Sequence, residues 1–382
     1  MNTAGVPSLY IHWPFCAAKC PYCDFNVHIS KAEVEEEVWV RSLLSDLKWQ
    51  MAGQNISSLK TIYFGGGTPS LLSPKSVGLI IEGATNLWNS EEVQITLEVH
   101  PTNADQAKFK DFRAAGINRV SIGVQSFDDQ ALTFLGRDHK ADEARDAVIA
   151  ARDIFEDVSV DLMTALPGMS LSDQQNQLDT AIAFGVEHLS VYQLNVEPAT
   201  AFGAAVKRGD WKPMDNDKAA DFYEATVSQL SKAGLNAYEV SNYSRPGRES
   251  RHSLLGWLGQ GYLGIGPGAE GRSINKKNDW ERRITRRSPS GYLKQVKQKN
   301  HGLEVQETLP HKDRVEEQLI FGLRLTSGLP LNHEAWEIAD PDRIGTLVEY
   351  GDLEETSSHR RATMKGRLRL DALNDYLVNY EG

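Results

Sequence analysis

From Leu9 to Leu194 the chain alternates short runs of Val, Ile, Tyr and Phe with longer stretches whose apolar residues recur every three or four positions. That is the pattern of a parallel sheet with helical crossovers. Leu9–Trp13, Thr61–Phe64, Ile95–Val99, Arg119–Val124, Val158–Ala165 and Leu189–Leu194 read as six strands. Between the first two, Val34, Val38, Leu43, Leu47 and Met51 keep near-helical spacing behind a capping-box sequence, Ser30-Lys31-Ala32-Glu33. Ser73-Pro74 offers an N-cap with proline at the first helical position. A helix from about Asn103 is expected to end at Gly116, and Ser172–Phe184 is expected to end at Gly185. Six β/α units suit an α/β fold of the partial (β/α)6 TIM-like kind better than a doubly wound sheet.

Past residue 241 the rhythm changes. Residues 242–271 are rich in Gly and Ser, and 272–301 carry ten Lys and Arg against two acids. From His311 the pattern is mainly helical, with Thr363–Leu370 read as a strand pair and Asp371–Val378 as a terminal helix. The chain therefore divides into a core barrel (1–241), a Gly-rich and basic connecting region (242–310) and a C-terminal helical, winged-helix-like domain (311–382). Gly266-Pro-Gly-Ala-Glu-Gly271 matches the dinucleotide-binding G-x-G-x-x-G letter for letter. It lacks a clear preceding strand and following helix, so it is set aside.

Composition narrows the function classes. With 40% hydrophobic and 24% charged residues, the 382-residue chain is an ordinary globular protein. Its net charge of −11 argues against nucleic acid as a partner, which needs a basic surface. No run approaches the ~18 apolar residues of a membrane helix, although peripheral contact is left open. Met1–Pro7 has neither a basic nor an apolar export region, so a cytoplasmic location is expected. The basic run reads as a solvated face, with an anion site as its functional alternative.

The three cysteines change the picture most. Cys16, Cys20 and Cys23 fall within eight residues, too tight and too odd in number for a disulfide framework. Three thiolates from one loop can hold three irons of a [4Fe–4S] cluster and leave the fourth open. The alternative is a Cys₃His zinc site completed by His28 or His12. Gly65-Gly66-Gly67 after the second strand, Glu98 after the third, Gln125 after the fourth and Asn195 after the sixth all lie at C-terminal strand ends. In β/α barrels that is the end where sites are built.

Cys-x-x-x-Cys-x-x-Cys, with aromatic Tyr22 in the last spacer, resembles the signature of the radical S-adenosylmethionine (SAM) superfamily, and Gly65-Gly66-Gly67-Thr68-Pro69 resembles its glycine-rich SAM segment. The resemblance implies a [4Fe–4S] cluster whose open iron binds SAM and whose electron cleaves it. Leu9–Cys16, Val120–Phe127 and Tyr262–Ala269 are further similar to the oxygen-independent coproporphyrinogen III oxidase family along nearly the whole chain. By that resemblance Tyr10, Tyr22, Gly66, Gly67, Thr68, Glu98, Gln125, Arg137 and Asp161 are expected at the cofactor site.

The true oxidases of that family carry a fourth cysteine two residues after the third, where this chain has Phe25, and a longer N-terminal segment. Both differences resemble the haem-chaperone branch, which binds haem and passes it to respiratory proteins. That branch carries His-Asn-x-x-Tyr-Trp; here His252 and Trp257 remain, while Ser253 and Gly256 replace Asn and Tyr. The resemblance thus implies haem as cargo, with contact at His252 and Trp257, a haem-acceptor protein and an electron donor as partners. Coproporphyrinogen III decarboxylation, the rival activity, is not expected, and radical modification of another substrate such as RNA ranks third.

Overall fold

The computed structural model describes residues 8–29, 34–54, 58–88, 90 and 92–378. Among them, strands β1 (Ser8–Trp13), β2 (Thr61–Gly66), β3 (Gln94–Val99), β4 (Arg119–Gln125), β5 (Asp157–Thr164) and β6 (His188–Gln193) lie side by side in chain order, all parallel. Strict alternation along each strand separates two faces. Val120, Ile122 and Val124 of β4, like Leu9 and Ile11 of β1 or Val158 and Val160 of β5, point outward into one apolar core beneath the helices. Fully burying each such side chain contributes about 1.5–3 kcal/mol. The intervening positions are polar: Tyr10, Tyr63, Ser121, Asp161 and Ser190 share the inner face. The barrel is thus held from outside and lined with hydrogen-bonding groups.

The 242–310 stretch, expected as a connector, extends this sheet. Strand β7 (Tyr262–Ile265) pairs parallel with the free edge of β1, and β8 (Glu270–Ile274), β9 (Trp280–Thr285) and β10 (Leu303–Thr308) continue antiparallel beyond it. The Gly-rich setting hid β7, whose one glycine meets neighbouring chain: a Cβ on Gly264 would come within 1.9 Å of the Glu270 carbonyl oxygen. The G-x-G-x-x-G letters therefore do follow a strand, contrary to expectation, but they lead into antiparallel β8 and no helix. Four arginines of the basic run are paired within the fold. Arg272 pairs with Glu317, Arg282 with Glu307, Arg283 with Glu281 and Arg286 with Glu304.

Several boundaries move for local reasons. The first long helix is Glu36–Ala52, starting from Glu35 with no side-chain cap; the Ser30–Glu33 capping box lies outside the described residues. Pro101–Asn103 forms a single 3₁₀ turn, and the helix proper, Gln106–Ala114, starts where Asp105 accepts the Lys108 N–H at 2.8 Å. In the C-terminal lobe the expected strand pair at Thr363–Leu370 is instead the short helix Met364–Arg367, N-capped by Thr363. The lobe's sheet is made by Leu329–Pro330, Leu353–Glu355 and His359–Ala362. With helices His311–Arg324, Pro341–Glu349 and Leu370–Val378 it encloses a second core around Leu319, Leu323 and Leu377. No helix among the described residues is long and apolar enough to cross a membrane.

Candidate functional site

At the C-terminal mouth of the barrel the loops after β1 and β2 lock together. Gly67 N–H donates to Trp13 O at 2.7 Å and Thr68 N–H to Phe15 O at 2.8 Å. A Cβ on Gly67 would stand 2.6 Å from Phe15 O. Gly66, at φ +109°, would place one 2.6 Å from the His12 ring. Sequence reasoning assigned these glycines to ligand approach; the packing of one loop on the other already requires them. Gly136, at φ +64°, seats the turn before Arg137 against Pro21.

The loops enclose a cavity of about 380 Å³, in the size class of small-molecule sites. Its walls include Cys16, Cys20, Tyr22 and Cys23, then Gly66, Gly67, Thr68, Glu98, Gln125, Arg137 and Asp161. Nearly all the expected cofactor residues thus meet in one place. Arg137 Nη1 lies 3.5 Å from Cys20 Sγ, while Nη2 donates to Gly123 O at 2.8 Å. Burial pushes the Cys16 and Cys23 thiols up, opposed at Cys16 by the Thr68 hydroxyl. Burial also opposes the charge on Arg137, but Tyr22 and Cys20 beside it more than compensate and hold it cationic.

Glu98 faces this cationic corner. Tyr63 Oη donates to its Oε1 at 2.9 Å and Gly66 N–H to its Oε2 at 3.2 Å. Burial nevertheless pushes the carboxyl up to about 7, the Asp161 charge adding to it against the Tyr63 bond. Burial raises Asp161 too, opposed by Ser190 and Ser121, whose Oγ donates at 3.0 Å. Gln125 enters the cavity from a bulge at the end of β4 with φ +65°, a left-handed conformation rare for residues with a Cβ. Two clamps hold the bulge: Arg137 on Gly123 O, and His139 Nε2–H donating to Val124 O at 3.0 Å.

Other expected residues lie elsewhere. Tyr10 sits one layer deeper, 3.0 Å from His12 Nδ1, and His12 Nε2–H donates to Asn26 O at 3.0 Å. With both nitrogens engaged, His12 has none for a metal. Asn195 is exposed and donates to Glu197 at 2.6 Å, outside the cavity. His252 lies at the opposite, N-terminal end of the barrel, where Nδ1 is 2.9 Å from Thr61 Oγ1 and the ring stacks on Tyr63 at 4.9 Å. Burial lowers it to about 4, aided by Arg119, so the imidazole is neutral at pH 7. Its helix, Arg251–Trp257, has no buried residue although it carries Leu254, Leu255 and Trp257. Trp257 meets Phe321 edge-on and lies beneath Arg324 of the C-terminal lobe.

The cavity also holds residues that sequence reasoning missed: His100, Ser121, Asp138, Met163 and Tyr192. Ser121, Met163 and Tyr192 occupy inward positions of their strands, so period-two alternation carried a signal for them. His100 and Asp138 had none, since only the fold brings the β3 exit beside the Arg137 turn.

Comparison with known proteins agrees with this geometry. A sequence model of the Radical SAM superfamily matches residues 10–179. The chain is 37% identical over 340 residues to "Radical S-adenosyl methionine domain-containing protein 1, mitochondrial" of Danio rerio, covering 88% of this chain and 76% of that one. It is 36% identical over 374 residues to "Heme chaperone HemW" of Escherichia coli (strain K12), covering 96% of each. Among solved structures, the coproporphyrinogen III oxidase HemN of Escherichia coli superposes with a TM-score of 0.81 at 20% identity, over 99% of this chain and 92% of that one.

Proposed function

Because the chain belongs to the radical SAM superfamily, in the family of the HemW haem chaperones, we propose that it binds haem and delivers it to an acceptor protein. What carries this reading is that the similarity to haem chaperones runs through both the barrel and the C-terminal lobe, whereas the likeness to the oxidase is one of fold. Phe25 supports it. Where the resemblance places the oxidases' fourth cysteine, this chain presents an apolar ring 60% exposed at the cavity.

The residues present fit a [4Fe–4S] cluster better than a single zinc. Zinc at about 2.3 Å from each sulfur requires the sulfurs about 3.8 Å apart. Among the described residues, the cysteines form no group of donor atoms within 4.8 Å of one another. Cys16, Cys20 and Cys23 would hold the cluster, which supplies an open iron for SAM and an electron for cleaving it. Glu98 would accept from the SAM ammonium, Arg137 and Gln125 would meet its carboxylate and hydroxyls, and Gly66–Thr68 would offer backbone groups. Asp161 completes the polar wall. Tyr10 steadies His12 behind the glycines, and Tyr22 seals the cysteine loop against Phe202. An electron donor is required for the cluster.

Haem is assigned to the other end of the barrel. Thr61 holds His252 Nδ1, which leaves Nε2 for iron, and a neutral imidazole is the form that binds it. The half-buried helix beside it carries Leu254, Leu255 and Trp257, whose partly exposed apolar surface would meet a porphyrin face. Anaerobic, cluster-loaded protein should bind haem saturably, and His252→Ala should weaken binding or shift the Soret band. The same preparation should not decarboxylate coproporphyrinogen III. Catalytic product formation without saturable haem binding would reverse the reading; binding indifferent to His252→Ala would move the ligand elsewhere.

A further inference from the structure

On the wall of the cysteine cavity stands a second constellation, to which neither cluster nor SAM assigns a ligand role. His100 follows β3, Asp138 and His139 follow Arg137, and one donor atom from each lies within 4.8 Å of the others. His100 Nε2 and Asp138 Oδ1 are 3.1 Å apart, near the roughly 3.3 Å that separates neighbouring ligands of a tetrahedral zinc ion. His139 is only 3% exposed, and its Nδ1 has no hydrogen-bond partner. A buried imidazole nitrogen left unpaired is a costly feature that usually answers to something.

The surroundings prepare the His139 ring as a ligand. His139 Nε2–H donates to Val124 O at 3.0 Å, which puts the lone pair on Nδ1. At His100 the Thr102 backbone N–H donates to Nδ1 at 3.4 Å, so the ring proton lies on Nε2 and a metal bound there would displace it. Hydrogen bonds of this kind fix tautomer and ring orientation at metal sites. Burial, and after it the Arg137 guanidinium bonded to Cys20 Sγ and Gly123 O, lowers both imidazoles and keeps them unprotonated, while the Asp138 charge opposes that cation. We propose that His100, Asp138 and His139 form a binding site for a divalent transition-metal ion of the zinc class. Two imidazoles and one carboxylate select zinc over magnesium or calcium, which prefer all-oxygen shells. Because His100 and Asp138 line the cavity, water or a carboxylate entering from it would complete the shell.

The test uses cluster-loaded, chelator-washed protein, so that the cysteines are already occupied. Equilibrium dialysis against zinc, with metal analysis, should find about one zinc per chain above the cluster iron. Asp138→Asn and His139→Gln should each weaken that binding at least tenfold with iron and sulfide contents unchanged. Asp138 is 44% exposed, so if His139→Gln fails to keep its cluster, Asp138→Asn decides alone. No zinc above the iron, or zinc retained in Asp138→Asn, overturns the site and leaves His100–Asp138 as an ordinary hydrogen bond.

Discussion

Replacing Glu98 by Gln separates what the residue contributes to binding from what it does to stability, because the two effects have opposite signs. Its carboxyl lies at about 7 in the folded chain, against an ordinary 4.5. A group whose folded value is raised binds more protons folded than unfolded, so its contribution to stability falls as pH rises through that window and is constant above it. The full displacement corresponds to about 3 kcal/mol, of which about 2–3 kcal/mol falls between pH 5 and pH 8. Glutamine cannot ionise and removes that slope. Its altered bonding to Tyr63 and Gly66 is a fixed offset, so the change in the gap between variant and wild type is diagnostic. At about 2.1 cal/mol/K per residue for 382 residues, the gap in Tm should move by about 3 °C in the variant's favour from pH 5 to pH 8. SAM affinity should go the other way. Loss of a charge-assisted hydrogen bond costs about 1.5–3 kcal/mol, or roughly 10- to 100-fold, at pH 8. Wild-type affinity should also fall about tenfold per unit below pH 7, while the variant stays flat. Calorimetric SAM titration of anaerobic, cluster-loaded protein, beside scanning calorimetry at both pH values, reads both effects. Equal SAM affinity and an equal pH slope in the two proteins would remove Glu98 from the site.

Three further outcomes are expected. Cys20→Ser should abolish a cluster that gives about four irons per wild-type chain, measured by iron and sulfide analysis after anaerobic reconstitution; stoichiometric zinc in place of iron would refute it. Arg137→Lys should keep the iron but weaken SAM by about tenfold, because one ammonium cannot replace a fork that reaches both Cys20 and Gly123. Gly67→Ala should destabilise the fold by about 2–4 kcal/mol even without cofactors, since the added Cβ meets the Phe15 backbone. An unchanged denaturation midpoint would show that the two loops can part.

The sequence by itself determined the six parallel strands, because period-two alternation and the buried outward faces are one physical fact seen twice. It also determined the cysteine loop, since three thiols within eight residues are close in any fold. Tertiary structure alone decided the rest. The 242–310 segment becomes sheet because the open edge of β1 offers unpaired backbone that β7 satisfies, with Gly266 just beyond it lying close against His12 O. His252 and Trp257, five residues apart on one short helix, lie at the far end of the barrel from the cysteines because that helix packs between the strand starts and the C-terminal lobe. His100 and Asp138 meet only because the exit of β3 and the turn after β4 converge at the barrel mouth. Local pattern specifies which face a side chain takes. Which distant side chains share a cavity depends on strand order and register, and no stretch of sequence contains those by itself.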